Sequence, residues 1–462
     1  MRKHFLVFMV CLAICGAVSA QDWPCFRGPD TGVSKATGLP LSWDGKTGKG
    51  VAWKLELPGK GVSSPVVVGN RLYLTAAVGY LEKRLVVLAV DPGSGKQLWK
   101  RQLTATGPTA CHPTTSMAGP TPVADAQGVY ALFATGDLVS FSPDGDLRWY
   151  RSLVTDHPTV GNQVGMASSL ALSGGLVIVQ MENIGESFIA GIEPGTGIEK
   201  WRIPRESSST WNSPVAVQVG GKDRVIVQNA KGFILLDPTN GQEIWSHKGP
   251  MVPIASPAVS EGQLFACGSP FVAMPLGDSQ GKITWESSKM GARHASPLAV
   301  DGKVYGVVQI GLNCLDAKSG KEVWQQRLKG PISASPVAAD GRIYLFAEDG
   351  SGYVVKLGGD KPQLLPIWWC LLGWCRGWER GLGQQRPNRC GGRRPIRSYA
   401  HCPGLQWGDL GPHRRVVRLR WHITRRGIHR ITTLSSGSWR LKTPQVLFGP
   451  QDELATLNRR GG

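Results

Sequence analysis

The chain has 462 residues, 41% of them hydrophobic and 18% charged, with a formal net charge of +19. That length and apolar share exclude a disordered or fibrous protein and allow a large packed core. The charge is no sign of a nucleic-acid partner, because residues 366–462 hold eighteen of the 52 basic and four of the 33 acidic side chains, +14 of the total, and leave the rest close to neutral.

Met1–Ala20 reads as a secretory signal peptide, with Arg2, Lys3 and His4 before the apolar run Phe5–Ala17 and the small-residue cleavage site Val18-Ser19-Ala20. The apolar run is shorter than the ~20 residues of a spanning helix, and Ile14 is too bulky to precede an acylated Cys15. Export with cleavage is expected, to the periplasm or outside the cell, with no transmembrane segment in the mature chain. Residues 21–62 read as a plug followed by a ring-closing strand. Trp23 and Phe26 are expected to fill an apolar seam, and Arg27 to reach a carboxylate or carbonyls. Val51–Leu57 is a lone outer strand with its own tryptophan, Trp53.

From residue 63 to 365 one unit repeats. It is clearest at Leu298–Val300 and Lys303–Val308, two β-rich runs joined by Asp301-Gly302, a type I′ hairpin dipeptide. Leu312–Asp316 and Lys321–Arg327 make a second pair. Four short antiparallel strands in one segment describe a propeller blade, and a lone blade cannot bury both faces. The copies span Ser63–Leu103, Ala118–Val154, Met166–Arg205, Trp211–Gly249, Ile254–Lys289, His294–Gly330 and Ser333–Leu365. Ser/Thr-Pro anchors recur at Pro65, Pro122, Pro214, Pro257, Pro297 and Pro336, with Ser168-Ser169 in the third copy. The tryptophans Trp53, Trp99, Trp149, Trp201, Trp245, Trp285 and Trp324 recur at the same place in each unit, so they are expected to pack between blades. Most follow an acidic residue and a glycine, as in Asp91…Gly95…Trp99 and Asp316…Gly320…Trp324. Seven copies plus the split one predict an all-β, eight-bladed propeller.

Residues 366–462 break the pattern. This Arg- and Trp-rich tail carries Trp368, Trp369, Leu371, Leu372, Trp374 and Trp378, poor material for a solvated arm, and Cys370, Cys375, Cys390 and Cys402 have no supporting zinc framework. Val416–His422 approaches a strand but lacks a matched partner. Codons for Tyr399–Leu410 read one base later permit Thr-Pro-Thr-Ala-Pro-Ala-Phe-Ser-Gly-Glu-Ile-Leu, which parallels Ala255–Leu264. A reading-frame error is therefore expected, with the closing blade lost or damaged and the tail irregular.

The Ala-x-Asp-x-x-Ser/Thr-Gly-Lys-x-x-Trp unit resembles the tryptophan-docking repeat of PQQ-type β-propellers. The opening Trp23-Pro24-Cys25-Phe26-Arg27-Gly28-Pro29 is similar to that of exported bacterial PQQ-like repeat proteins of the BamB-like kind, over about Trp23–Leu365. The resemblance implies either a scaffold or a quinoprotein dehydrogenase. In the latter, PQQ lies on the propeller axis between a tryptophan and adjacent disulfide-bonded cysteines, with calcium and a catalytic aspartate. This sequence has no adjacent cysteine pair and no long insertions, so neither catalysis nor a cofactor is expected. Cys25, Cys111, Cys267 and Cys314 are scattered, and sequence does not fix their disulfide state; Cys267 and Cys314 read as buried free thiols. No nucleophile elbow or metalloprotease helix is present.

Loops entering the inner strands line one mouth of a propeller channel, so His112, Arg205, Trp211 and His294 are the candidate ligand residues there. The expected function is a monomeric, exported, non-catalytic scaffold for envelope or extracellular proteins. The alternatives are the quinoprotein and a glycan- or peptide-binding propeller.

Overall fold

A computed structural model describes residues 21–161, 165–277, 282–291, 294–309 and 311–365, and the backbone of 419–424 and 427–432. The chain divides into two compact units, residues 1–383 and 384–462. In the first, six four-stranded antiparallel sheets follow one another at residues 66–104, 123–152, 171–205, 215–248, 258–287 and 298–327, called sheets 1 to 6. Sheet 7 has three strands, Val337–Ala339, Arg342–Phe346 and Gly352–Lys356. Each sheet is a meander, its strands paired in chain order. At the first turn of sheet 6, Asp301 and Gly302 are both left-handed (φ 52° and 67°), the type I′ geometry that its Asp-Gly dipeptide favours.

Strand alternation gives every sheet two apolar faces, and neighbouring sheets bury them against one another. Tyr73, Leu85, Val87 and Trp99 of sheet 1 pack on Val129, Phe133, Val139 and Phe141 of sheet 2. Sheets 2 and 3, 3 and 4, 4 and 5, 5 and 6, and 6 and 7 share cores of the same kind. The outer faces of sheets 1 and 7 pack on no other sheet among the described residues. Leu74, Ala76, Val86 and Leu88 of sheet 1 are covered by Leu57, and Ala339, Tyr344 and Val354 of sheet 7 by Leu39, Trp43 and Leu365. One seam therefore interrupts the ring.

The tryptophans join one sheet to the next. The indole N–H of Trp99 donates to Pro143 O at 2.8 Å, and Trp149, Trp201, Trp245 and Trp285 donate to Pro194, Pro238, Gly277 and Ala317 O at 2.8–2.9 Å. The glycine of the sequence pattern serves the tryptophan of the preceding sheet. A Cβ on Gly320 (φ 69°) would stand 2.4 Å from Trp285 Cε3. Trp99, Trp149, Trp245 and Trp324 are 5–8% exposed. Trp285, expected to be buried, is only half-buried, on a strand of three residues, Trp285–Ser287.

Two expectations need correction. Val51–Leu57 forms no strand, since the sheet that would pair with it is absent among the described residues. In the second unit Leu419–Thr424 does find a partner, Gly427–Thr432, in register Leu419↔Thr432 to Thr424↔Gly427. The apolar and β-branched residues on both sides of this short connection suit a hairpin. Residues 1–20, 366–418, 425–426 and 433–462, with most of the signal and tail readings, lie outside the described residues. No described helix is long and apolar enough to cross a membrane.

Candidate functional site

The Ser/Thr-Pro anchors form a hydrogen-bonded belt around the channel. The backbone N–H of Ser64 donates to Thr121 Oγ1 (3.0 Å), Thr121 N–H to Ser169 Oγ (3.0 Å) and Ser169 N–H to Ser213 Oγ (2.9 Å). The belt continues from Ser213 N–H to Ser256 Oγ (2.8 Å), Ser256 N–H to Ser296 Oγ (3.0 Å) and Ser296 N–H to Ser335 Oγ (2.9 Å). A short hydroxyl side chain at the start of each inner strand is what this geometry requires; except at Ser169, which Leu170 follows, the next residue is a proline and cannot donate to a ladder.

Residues 21–34 close the other end of the channel. Arg27 is buried, with Nη1 donating to Pro257 O (2.8 Å) and Nη2 to Thr31 O (2.6 Å) and to Pro297 O. The carbonyls of Pro257 and Pro297 follow the belt residues Ser256 and Ser296. Desolvation lowers the guanidinium pKa to about 10, which leaves it charged at neutral pH. Trp23 exchanges backbone hydrogen bonds with Val67, Ala124 N–H donates to Pro24 O, Thr31 Oγ1 donates to Val259 O, and Ala338 N–H donates to Gly32 O. One short segment thus ties together sheets 1, 2, 5, 6 and 7.

Above the plug lies a cavity of about 1270 Å³. The belt hydroxyls and Trp23, Phe26 and Trp43 line it, with His112, Trp211 and His294 among the mouth residues. Trp211 donates its indole N–H to Gly165 O (2.9 Å), and His112 Nδ1 bonds Thr114 Oγ1 (2.8 Å). Arg205 is placed elsewhere: its Nε donates to Glu182 Oε1 at 2.7 Å, and it does not line the cavity. Glu182 is fully buried and also accepts from Gln180 and Asn229. A buried carboxylate requires such partners, so this pair belongs to the packing of sheets 3 and 4. The belt and this ion pair were missed in sequence, although the Ser/Thr-Pro repeats and the irregular Glu182-Asn183 loop were their signals.

The described lining of the large cavity contains no Asp or Glu. The four cysteines described are free, and burial pushes the thiols of Cys25, Cys267 and Cys314 up to about 12, so they are protonated at neutral pH. This donor set does not fit PQQ with calcium, which would need carboxylates on the axis.

Among curated protein sequences none matches this chain. Among solved structures, BamB from Moraxella catarrhalis is similar at 15% identity and TM-score 0.50, covering 67% of this chain and 86% of that one. A europium-containing methanol dehydrogenase is similar at 12% identity and TM-score 0.40, over 72% of this chain and 89% of that one. The computationally designed Ika8 protein gives 14%, 0.48, 67% and 87% for the same measures. At these identities the likeness concerns the fold alone. The family model for outer membrane protein assembly factor BamB matches residues 31–166, 159–309 and 275–360. On that match, which takes in the plug from Thr31 onward and all seven sheets, the chain belongs to the BamB family of PQQ-like repeat propellers.

Proposed function

We propose that this protein is a non-catalytic interaction scaffold of the bacterial cell envelope, exported by its N-terminal signal and binding other envelope proteins. The observation that carries the reading is the axial cavity, whose described lining offers hydroxyls, imidazoles and apolar surface but no carboxylate to serve as base or metal ligand. Membership of a family named for an outer membrane assembly factor supports the same role. So does the plug, which stiffens the ring without adding reactive groups. The test has two arms. Purified protein mixed with PQQ and calcium should retain no quinone absorbance after gel filtration and reduce no dye; turnover with an alcohol would overturn the proposal. Crosslinking in envelope extracts should give discrete protein adducts, and a protein without any would not be a scaffold. A second reading, a propeller taking a glycan or peptide, rests on Trp211, His112 and His294 at the cavity mouth. Binding of a glycan or peptide array lost in Trp211→Ala would favour it.

A further inference from the structure

Trp53 makes the contact of a blade tryptophan without a blade behind it. Its indole N–H donates to Pro92 O at 2.8 Å, and a Cβ on Gly95 would stand 2.5 Å from its Cδ2. In sheets 1 to 5 that contact comes from the fourth strand, onto the turn of the next sheet. Segment 51–57 therefore sits where the fourth strand of a sheet preceding sheet 1 belongs. Its residues alternate as such a strand would, Val51, Trp53, Leu55 and Leu57 half-buried and Ala52, Lys54 and Glu56 exposed. Across the seam the fourth strand of sheet 7 starts, with Val355 bridging Leu364 and Leu365 N–H donating to Val354 O. Both walls of the seam are apolar sheet faces, and the described belt starts at Ser64 and stops at Ser335. What the seam lacks is three strands.

We propose that these strands are encoded after Leu365 in a frame shifted by one base, and that they pair with 51–57 as an eighth sheet. The shifted reading of codons 399–410 ends Ala-Pro-Ala-Phe-Ser-Gly-Glu-Ile-Leu, which parallels the first strand of sheet 5, Ala258–Ser260, its turn and the start of its second strand, Gln263–Ala266. Carried on through the codons of Gly411–Arg418, the same shift permits Val-Arg-Thr-Asp-Glu-Leu-Tyr-Ala. Together these give a strand, a polar turn and the start of another strand, the order found in sheet 7 from Arg342 to Tyr353. One shift thus permits two successive strand–turn units, and the seam offers two apolar sheet faces for them to cover.

The gene and the protein can both be asked. Resequencing codons 355–462 and weighing the protein from its native host should give the shifted product; DNA and mass that agree with the written tail overturn the proposal. Two full chains, written and shifted, should then differ at 51–57, whose amides should exchange about 100-fold more slowly in the shifted chain. Equal protection in both would mean that the written tail already fills the seam. Protection in the written chain only as a dimer would make a second copy the occupant. Either result excludes the proposal. If the shifted chain fails to fold, the native mass still decides.

Discussion

A blade tryptophan fixes its neighbour twice, by the area its ring buries and by the direction of its N–H. Trp245 has both, packed on Phe233 and bonded to Gly277 O, at 5% exposure. Trp245→Ala should cost about 3–5 kcal/mol, read from a urea midpoint. Trp201→Ala should cost less, because its ring is only partly buried. The buried thiols give a pH signature. Cys267 and Cys314 have thiol pKa values near 12 in the fold, against the ordinary 9.0. Below pH 9 both states hold the proton; above it the unfolded chain loses it first, so folding stability should fall as pH rises from 9 toward 10. Arg27, whose pKa burial lowers to about 10, acts in the opposite sense only above that pH. Replacing both cysteines with serine, or with alanine if serine does not fold, should reduce the pH 9–10 slope in calorimetric stability, and replacing Cys25, whose thiol burial also raises to about 12, should reduce it further.

At the scale of the element, belt and plug meet at the same residues. Ser256 accepts from Ser213 N–H, and the next carbonyl, Pro257 O, accepts from Arg27. Ser256→Ala leaves the Ser213 N–H without its acceptor in a buried place and should cost about 1–3 kcal/mol, with Ser256→Thr recovering most of it. Arg27→Met keeps the volume but strands the carbonyls of Pro257 and Pro297. It should lower stability by about 1–3 kcal/mol for each carbonyl left unpaired, the usual cost of a buried acceptor without its donor. The strands themselves were legible in sequence, because alternation and turn dipeptides such as Asp301-Gly302 act locally. The belt was legible only as a recurring anchor, since its bonds join residues about 40 positions apart, Ser256 to Ser296 for one. Arg205 was placed at the mouth because its loop points there; its partner Glu182, 23 residues earlier, decides otherwise. His112, Trp211 and His294 do line the cavity.

At the scale of the whole first unit, six shared cores and one seam among the described residues make a ring with a weakest point. Sheets 2 to 6 have a sheet on either side, whereas among the described residues sheets 1 and 7 each have one face covered only by chain from residues 39–57 and by Leu365. Opening free energy in a repeat architecture follows the number of neighbours each unit has. Hydrogen exchange of the written chain should therefore be slowest in Lys222–Asn229 of sheet 4 and fastest in Arg342–Phe346 of sheet 7. Trp43 sets the gap between them, since it packs on Tyr344 and Phe346 across the open face of sheet 7. Trp43→Ala should raise exchange in sheet 7 and leave sheet 4 unchanged. It should also increase aggregation, because an uncovered apolar sheet face is a template for other chains. Equal protection of sheets 4 and 7 in the written chain would mean that the ring closes without further strands and that the seam is no weak point.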